Sequence, residues 1–264
     1  MYKAPPIVLV ILIILVSSCK SQNNQFPEMQ AMLDNAKANF IFVEGGTFIM
    51  GDNTVAKASP AHEVTLDSYS IAKYETTFEE YDLYSVAVGK EIVHKKYRNI
   101  PRNSSKHGAW HMNWFQAREY CQWLGKQLEL PMDLPTEAQW EYAARNRGKN
   151  VDHATNNGKM EKDNAGIDDP VGSNPPSPLG IYDMSGSKAE WVLDWFANYR
   201  KEPQTNPKGR QRKPSEIEQN QGEKVVRGFP TIVKTTYRRT SLEPENTGYG
   251  AGIRCVCNQK TAVN

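Results

Sequence analysis

Cysteine is scarce in this chain of 264 residues: four in all, at 19, 121, 255 and 257, with none between Gln122 and Arg254. No Cys-x-x-Cys occurs, which excludes a thioredoxin-like redox motif and the paired-cysteine zinc ribbons. Neither sign of charge dominates. Lys+Arg 32 against Asp+Glu 30 leaves +2, so phosphate charge would not draw the chain to nucleic acid. The apolar run from Ile7 to Val16, IVLVILIILV, is ten residues, short of the ~20 that a membrane-spanning helix needs. A Gly-rich phosphate loop and a Gly-x-Ser-x-Gly elbow are both missing, which removes nucleotide-binding and hydrolase readings. What is present can build a core. Hydrophobic residues make 39% and aromatics 10%, too many for a wholly disordered chain. Six Trp and twelve Tyr beside sixteen Pro and eighteen Gly point to a loop-rich fold pinned by large aromatics.

The N-terminus reads as an address. Lys3 precedes the apolar run, as in a signal peptide. Val16-Ser17-Ser18-Cys19 resembles the cleavage box of bacterial lipoproteins. Residues 1–18 are therefore expected to be removed, Cys19 to carry lipid, and the polar residues 19–35 to form a tether to a domain over 36–264. The same resemblance, with Lys20 rather than Asp after the Cys, implies a lipid-anchored protein of the bacterial envelope, on the outer membrane facing the periplasm. In that oxidising compartment the other three cysteines suggest one pair and one odd thiol. Cys255 and Cys257 are not expected to pair with each other.

Further along, Phe40 to Met50 reads as two strands about a Gly-Gly turn, and Glu63 to Ala72 alternates again. Thr77 and Glu80 form a capping box that opens a helix carrying Phe78, Tyr81 and Tyr84, with Gly89 to end it. Ala117, Tyr120, Cys121 and Leu124 mark the buried face of a second helix, with Gly125 read as its stop. Thr136 and Gln139 open a third helix through Trp140, Ala143 and Ala144. Residues 145–169 and 200–224 read as polar loops; the second carries Lys208, Arg210, Arg212 and Lys213. His107 and His111 have i, i+4 spacing, but Gly108 argues against the helix that a zinc pair would require.

Several blocks together resemble the formylglycine-generating, or sulfatase-modifying-factor, family. They are Glu44-Gly45-Gly46-Thr47-Phe48-Ile49-Met50-Gly51, Pro60-Ala61-His62-Glu63-Val64, and Tyr74-Glu75-Thr76-Thr77. Trp114 to Lys126 looks like its central helix, and Leu134-Pro135-Thr136-Glu137-Ala138-Gln139-Trp140-Glu141-Tyr142-Ala143-Ala144-Arg145 like its most specific stretch. Gly180 to Gly186, Glu190-Trp191-Val192, Arg227-Gly228 and Gly252-Ile253-Arg254-Cys255 follow in order. The resemblance implies an α+β, variant C-type-lectin-like fold, loop-rich and low in regular secondary structure.

The family's enzymes oxidise a sulfatase cysteine with copper held by two cysteines near the C-terminus. The corresponding span here, Arg227 to Ser241, has none; Gly228-Phe229-Pro230 replaces a Gly-Gly-Ser turn, and Ala189-Glu190-Trp191 replaces Trp-Glu-Trp. Copper(I) wants soft thiolates, so no copper and no catalytic residue are expected. By resemblance Cys121 and Cys255 form a structural disulfide, leaving Cys257 odd. The family also implies structural calcium held by Asp183, Gly186, Lys188 and Glu190. A second calcium site would use Asn164 and Ala165, with Asp168 or Asp169 standing in for a missing ligand. The expected function is that of a non-catalytic lipoprotein that binds a protein, with Phe229, Tyr237 and Arg238 and the long loops as contacts. The leading reading is an immunity protein that neutralises a secreted antibacterial effector such as a lipase. A structural part of an envelope machine, and an oxidase-type enzyme, are the alternatives.

Overall fold

The computed structural model describes residues 27–161, 169–210, 213, 215, 222–229, 234–237, 239–247 and 250–263. Cys19, Asn164, Ala165, Asp168 and Arg238 lie outside these residues.

Residues 27–38 form the first helix, α1. This corrects the tether: residues from 27 onward fold against the domain. Met29, Met32, Leu33 and Ala36 recur at helical spacing, and Met32 and Leu33 are buried in the core. Strands β1 (Phe40–Val43) and β2 (Gly46–Met50) follow, as the Gly-Gly pattern predicts. They do not pair with each other. Strand β1 runs antiparallel to β4 (Tyr69–Ala72), and β2 antiparallel to β3 (His62–Leu66).

Helix α2 (Phe78–Ala87) opens on the expected box: Thr77 accepts from the Glu80 backbone, and the Glu80 carboxylate accepts from the Thr77 N–H at 2.6 Å. Helix α3 (Trp114–Leu128) opens on a second box that the sequence reading missed, between Asn113 and Gln116. It also continues past Gly125. There the glycine answers a packing demand, since a Cβ would lie 2.7 Å from the Leu130 carbonyl oxygen. Glu129, at φ 56°, caps the helix instead. Helix α4 (Glu137–Ala144) opens on the Thr136–Gln139 box as expected.

Short strands complete three sheets: β5 (Met132–Asp133), β6 (Ala189–Trp195), β7 (Gln204–Thr205), β8 (Lys224–Arg227), β9 (Arg239–Leu242), β10 (Ala251–Gly252) and β11 (Val256–Cys257). Their orders are β1-β4-β11-β5, β10-β6-β8-β9 and β2-β3-β7. Two apolar clusters lie between them. One gathers α2, α3, Trp191, Cys255 and Cys257; the other gathers Val43, Val64, Ile71, Trp140, Val192 and Val256. Cys255 and Cys257 share the first cluster because alternate residues of an extended chain share a face. The architecture is mixed and loop-rich, as the resemblance implied.

Candidate functional site

Arg254 enters from the loop between β10 and β11 and is wholly buried. Its guanidinium meets the buried carboxylate of Glu190 on β6, with Nε 2.9 Å from Oε1 and Nη2 at 2.8 Å. Its remaining N–H groups donate to the carbonyls of Ala72, Lys73 and Tyr182. Glu190 Oε2 also accepts from Trp140 Nε1 at 2.6 Å. Three sequence blocks, around residues 140, 190 and 254, thus close on one ion pair.

Glu75 lies beside it, 2% exposed. Its oxygens accept from the Ser187 hydroxyl (2.6 Å) and the Lys188 backbone N–H (2.9 Å), both neutral donors. Burial, then the charges of Glu190 and Asp183, push its carboxyl up to about 8. Gly108 makes the space, since a Cβ there would lie 2.2 Å from Glu75 Oε2. Only the short motif Tyr74-Glu75-Thr76-Thr77 hinted at this residue.

The two side chains of the set implied for calcium are bonded within the protein. Asp183, at φ 63°, accepts the Gly172 N–H at 2.7 Å, and burial raises its carboxyl above the ordinary range. Both Glu190 oxygens are turned to Arg254 and Trp140. Calcium wants six to eight oxygens, and among the described residues no three His, Cys, Asp or Glu side chains converge as metal ligands. As bonded here, Glu190 is the counter-ion of Arg254 and Asp183 ties the turn at Gly172.

A second buried network ties α4 to the span where the family's copper ligands would stand. Arg227 bridges Glu137 and Glu141, each at 2.9 Å, and Arg239 bonds Glu137 through Nε (2.6 Å) and Nη2 (2.8 Å). Arg145 bonds Glu141 at 2.9 Å. Asp194, beside Glu137, accepts that residue's backbone N–H, and burial followed by the Glu137 charge raises its carboxyl to about 7. Lys224 is also buried, held between the Trp114 ring (3.7 Å) and the Trp195 ring (3.9 Å) while it donates to the Leu193 carbonyl. The sequence reading named neither Asp194 nor Lys224. Nothing local marks them, because their partners are up to 110 residues away.

Tyr237 is corrected as a partner-contacting residue. It is 2% exposed, its hydroxyl lies 3.0 Å from Asn150 Oδ1, and its ring stacks under Arg145. Phe229 is half-buried against the first apolar cluster. His107 bonds Ser104, while His111 bonds the Thr247 carbonyl and stacks on Trp110 and His94, so the two do not act as a ligand pair. Cys121 and Cys255 are bridged, with Cα atoms 5.5 Å apart. Cys257 is free, buried, and its thiol is raised by that burial.

Comparison with known proteins agrees with this geometry. Residues 25–259 match the profile of the sulfatase-modifying factor enzyme 1-like domain. The serine/threonine-protein kinase Pkn1 of Chlamydia trachomatis serovar L2 is 30% identical over 178 residues, 60% of this chain and 28% of the kinase. The formylglycine-generating enzyme of Mus musculus is 29% identical over 58% of this chain and 45% of the enzyme. A protein named inactive C-alpha-formylglycine-generating enzyme 2, from Bos taurus, is 35% identical over 33% of this chain and 32% of its own. The chain thus spans well under two thirds of each of these relatives. Among solved structures, Treponema denticola variable protein 1 superposes with a TM-score of 0.69 at 20% identity, over 83% of this chain and 95% of that one, a likeness of fold. The relatives include both formylglycine-generating enzymes and a protein named as inactive, and the chain belongs to the sulfatase-modifying-factor family.

Proposed function

We propose that this domain recognises a protein partner at the bacterial envelope and does not generate formylglycine. One observation carries the reading: no two thiols remain to hold copper. Cys121 and Cys255 are spent on each other, Cys257 is solitary and buried, and Cys19 lies in the segment read as a lipid-attachment box. A nucleophilic or metal-binding cysteine must be a thiolate, and burial moves Cys257 the other way. The described part of the span from Arg227 to Ser241 is taken up by structural bonds: Arg227 and Arg239 to Glu137, and Lys234 to Asp52 at 2.8 Å. A scaffold kept intact around such a span serves through its surface, and variable loops on a rigid frame suit recognition.

The contacts would lie on the described parts of the two polar loops, 145–161 and 200–210, and on half-buried Phe229. The lipid on Cys19 would hold the domain at the membrane, facing the periplasm. Neutralisation of a secreted antibacterial effector is the narrower form of the reading, supported by analogy of fold alone. The test uses the tagged full chain, purified from its native envelope. A stoichiometric protein partner is expected, with an interface above ~1,200 Å². Incubation with copper and a sulfatase-type cysteine peptide should yield no aldehyde; turnover of that peptide would replace this reading by the enzyme.

A further inference from the structure

Asparagine is followed by glycine at one place in the chain, Asn157-Gly158. The pair lies in the loop between α4 and β6, on a turn closed by the His153 N–H, which donates to the Gly158 carbonyl at 3.2 Å. Asn157 is exposed, so water reaches its amide. Gly158 stands at φ 76°, in the left-handed region that glycine enters without steric cost.

The Asn157 side chain is folded back over the glycine. Its Oδ1 accepts the Lys159 backbone N–H at 3.0 Å, which makes an Asx turn. The ring closed by that bond contains both Asn157 Cγ and the Gly158 nitrogen, and it draws the two together. The same N–H is placed to steady negative charge on Oδ1 when a nucleophile adds to Cγ. Gly158 offers such a nucleophile. Its nitrogen has no side chain beside it, and its hydrogen is held only by a long bond to the Thr155 carbonyl, at 3.4 Å. Asn157 Nδ2 donates to Glu161 Oε2 at 3.1 Å. Asn103-Ser104, where the following residue is also small, makes the contrast. Asn103 is buried, and its Oδ1 accepts the Trp110 indole N–H at 3.2 Å.

We propose that Asn157 is a site of self-modification, at which the Gly158 nitrogen attacks Asn157 Cγ and the amide becomes an acid. The N–Cγ bond forms, the Cγ–Nδ2 bond breaks, and the proton of the Gly158 nitrogen leaves on ammonia by way of solvent. Water then opens the cyclic imide. Opening at Cγ leaves aspartate, and opening at the Asn157 backbone carbonyl leaves isoaspartate. Water is the sole co-reactant. The turn supplies the proximity that an open chain must find by chance. The new carboxylate stands where Nδ2 met Glu161, so an attraction becomes a like-charge contact and the loop gains negative charge. The modification does not depend on the protein-binding role proposed above, and each stands if the other fails.

The test is peptide mapping of the full chain in neutral detergent, incubated in heavy-oxygen water at neutral and at mildly alkaline pH. A synthetic peptide of residues 150–159 is incubated beside it. Melting curves at each time point check that the chain is folded. Asn157 in the folded chain is expected to convert no more slowly than in the free peptide, and faster in alkali, where the Gly158 nitrogen loses its proton more readily. Heavy oxygen should enter at residue 157, and both acids should form, the isoaspartate read by enzymatic methylation. Asn103 should remain an amide. Asn157→Gln, at the same exposed position, should lose the reaction, because its longer side chain must close a larger and slower-forming ring. A folded chain that keeps Asn157 intact while the free peptide converts, or conversion of Asn103 at the same rate, would each overturn the proposal.

Discussion

Replacing Glu190 by alanine takes away the carboxylate bonded to the buried Arg254 guanidinium and the acceptor of Trp140 Nε1. Both partners are fully buried, so water cannot take over. Removing one member of a buried ion pair costs ~3–5 kcal/mol, because a charge is left uncompensated. The orphaned indole N–H adds ~1–3 kcal/mol. Since the two terms share one carboxylate, a total near ~5 kcal/mol is the working figure. In a domain of this size each kcal/mol moves the melting temperature by ~2–4 °C, so a fall on the order of 10–20 °C is expected by differential scanning calorimetry. Glu190→Leu with Arg254→Met should recover part of the loss, because no lone charge remains. Recovery should be incomplete, since the carbonyls of Ala72, Lys73 and Tyr182 then lose their donor. The same scans with and without EDTA separate an ion pair from a calcium ligand. The wild type should melt alike in both, and the Glu190→Ala loss should not change. A wild type that falls in EDTA to the level of the variant would refute the reasoning and restore the ion.

Removing the bridge with Cys121→Ala and Cys255→Ala should cost ~2–5 kcal/mol, as for other native disulfides that close long loops, here with a separation of 134 residues. Unreduced peptide mapping should recover the linked pair and a free Cys257; a linked Cys257 would contradict it. Burial holds the Glu75 carboxyl protonated up to about 8, whereas the unfolded chain releases that proton near 4.5. Between those values the folded state binds more protons, so this residue makes stability fall as pH rises from ~4.5 to ~8. Glu75→Gln should flatten that part of the denaturation midpoint against pH and should be relatively more stable at pH 8; an unchanged slope would show that Glu75 does not titrate there. A fatty-acid probe fed to cells should label the wild type and not Cys19→Ala, and label on the variant would rule out this lipid site.

The helices were legible where a side chain announces its own cap. Thr77 with Glu80 and Thr136 with Gln139 each carry a hydroxyl and an acceptor three residues apart. Asn113 with Gln116 follows the same geometry, with an amide in place of the hydroxyl, and is masked by the apolar face that begins at Ala117. The segment from residue 27 reads as a tether because its polar positions outnumber Met29, Met32, Leu33 and Ala36, which form one face of a helix. Within the site, the order of blocks gave the fold, and the cysteine pair could be inferred from it. The pairing of Glu190 with Arg254 could not. Two residues 64 apart in sequence meet only through the third dimension. Tyr237 reads as a surface aromatic for the related reason that its cover, Arg145 and Asn150, comes from a segment whose path no periodicity records.

The placing of β11 has a consequence for how this chain comes to be folded. Residues 256 and 257 form an inner strand, between β4 and β5, and residue 255 is bridged to α3. Just before them, Ile253 and Cys255 offer their carbonyls to Thr76 and Ala72. The first sheet therefore stays open at its middle until more than 250 residues have been delivered, and the ion pair at its edge has no arginine until then. Contacts of such long separation form late and slowly. That delay keeps the leading part of the chain pliable until the last strand is available, and folding then closes like a clasp.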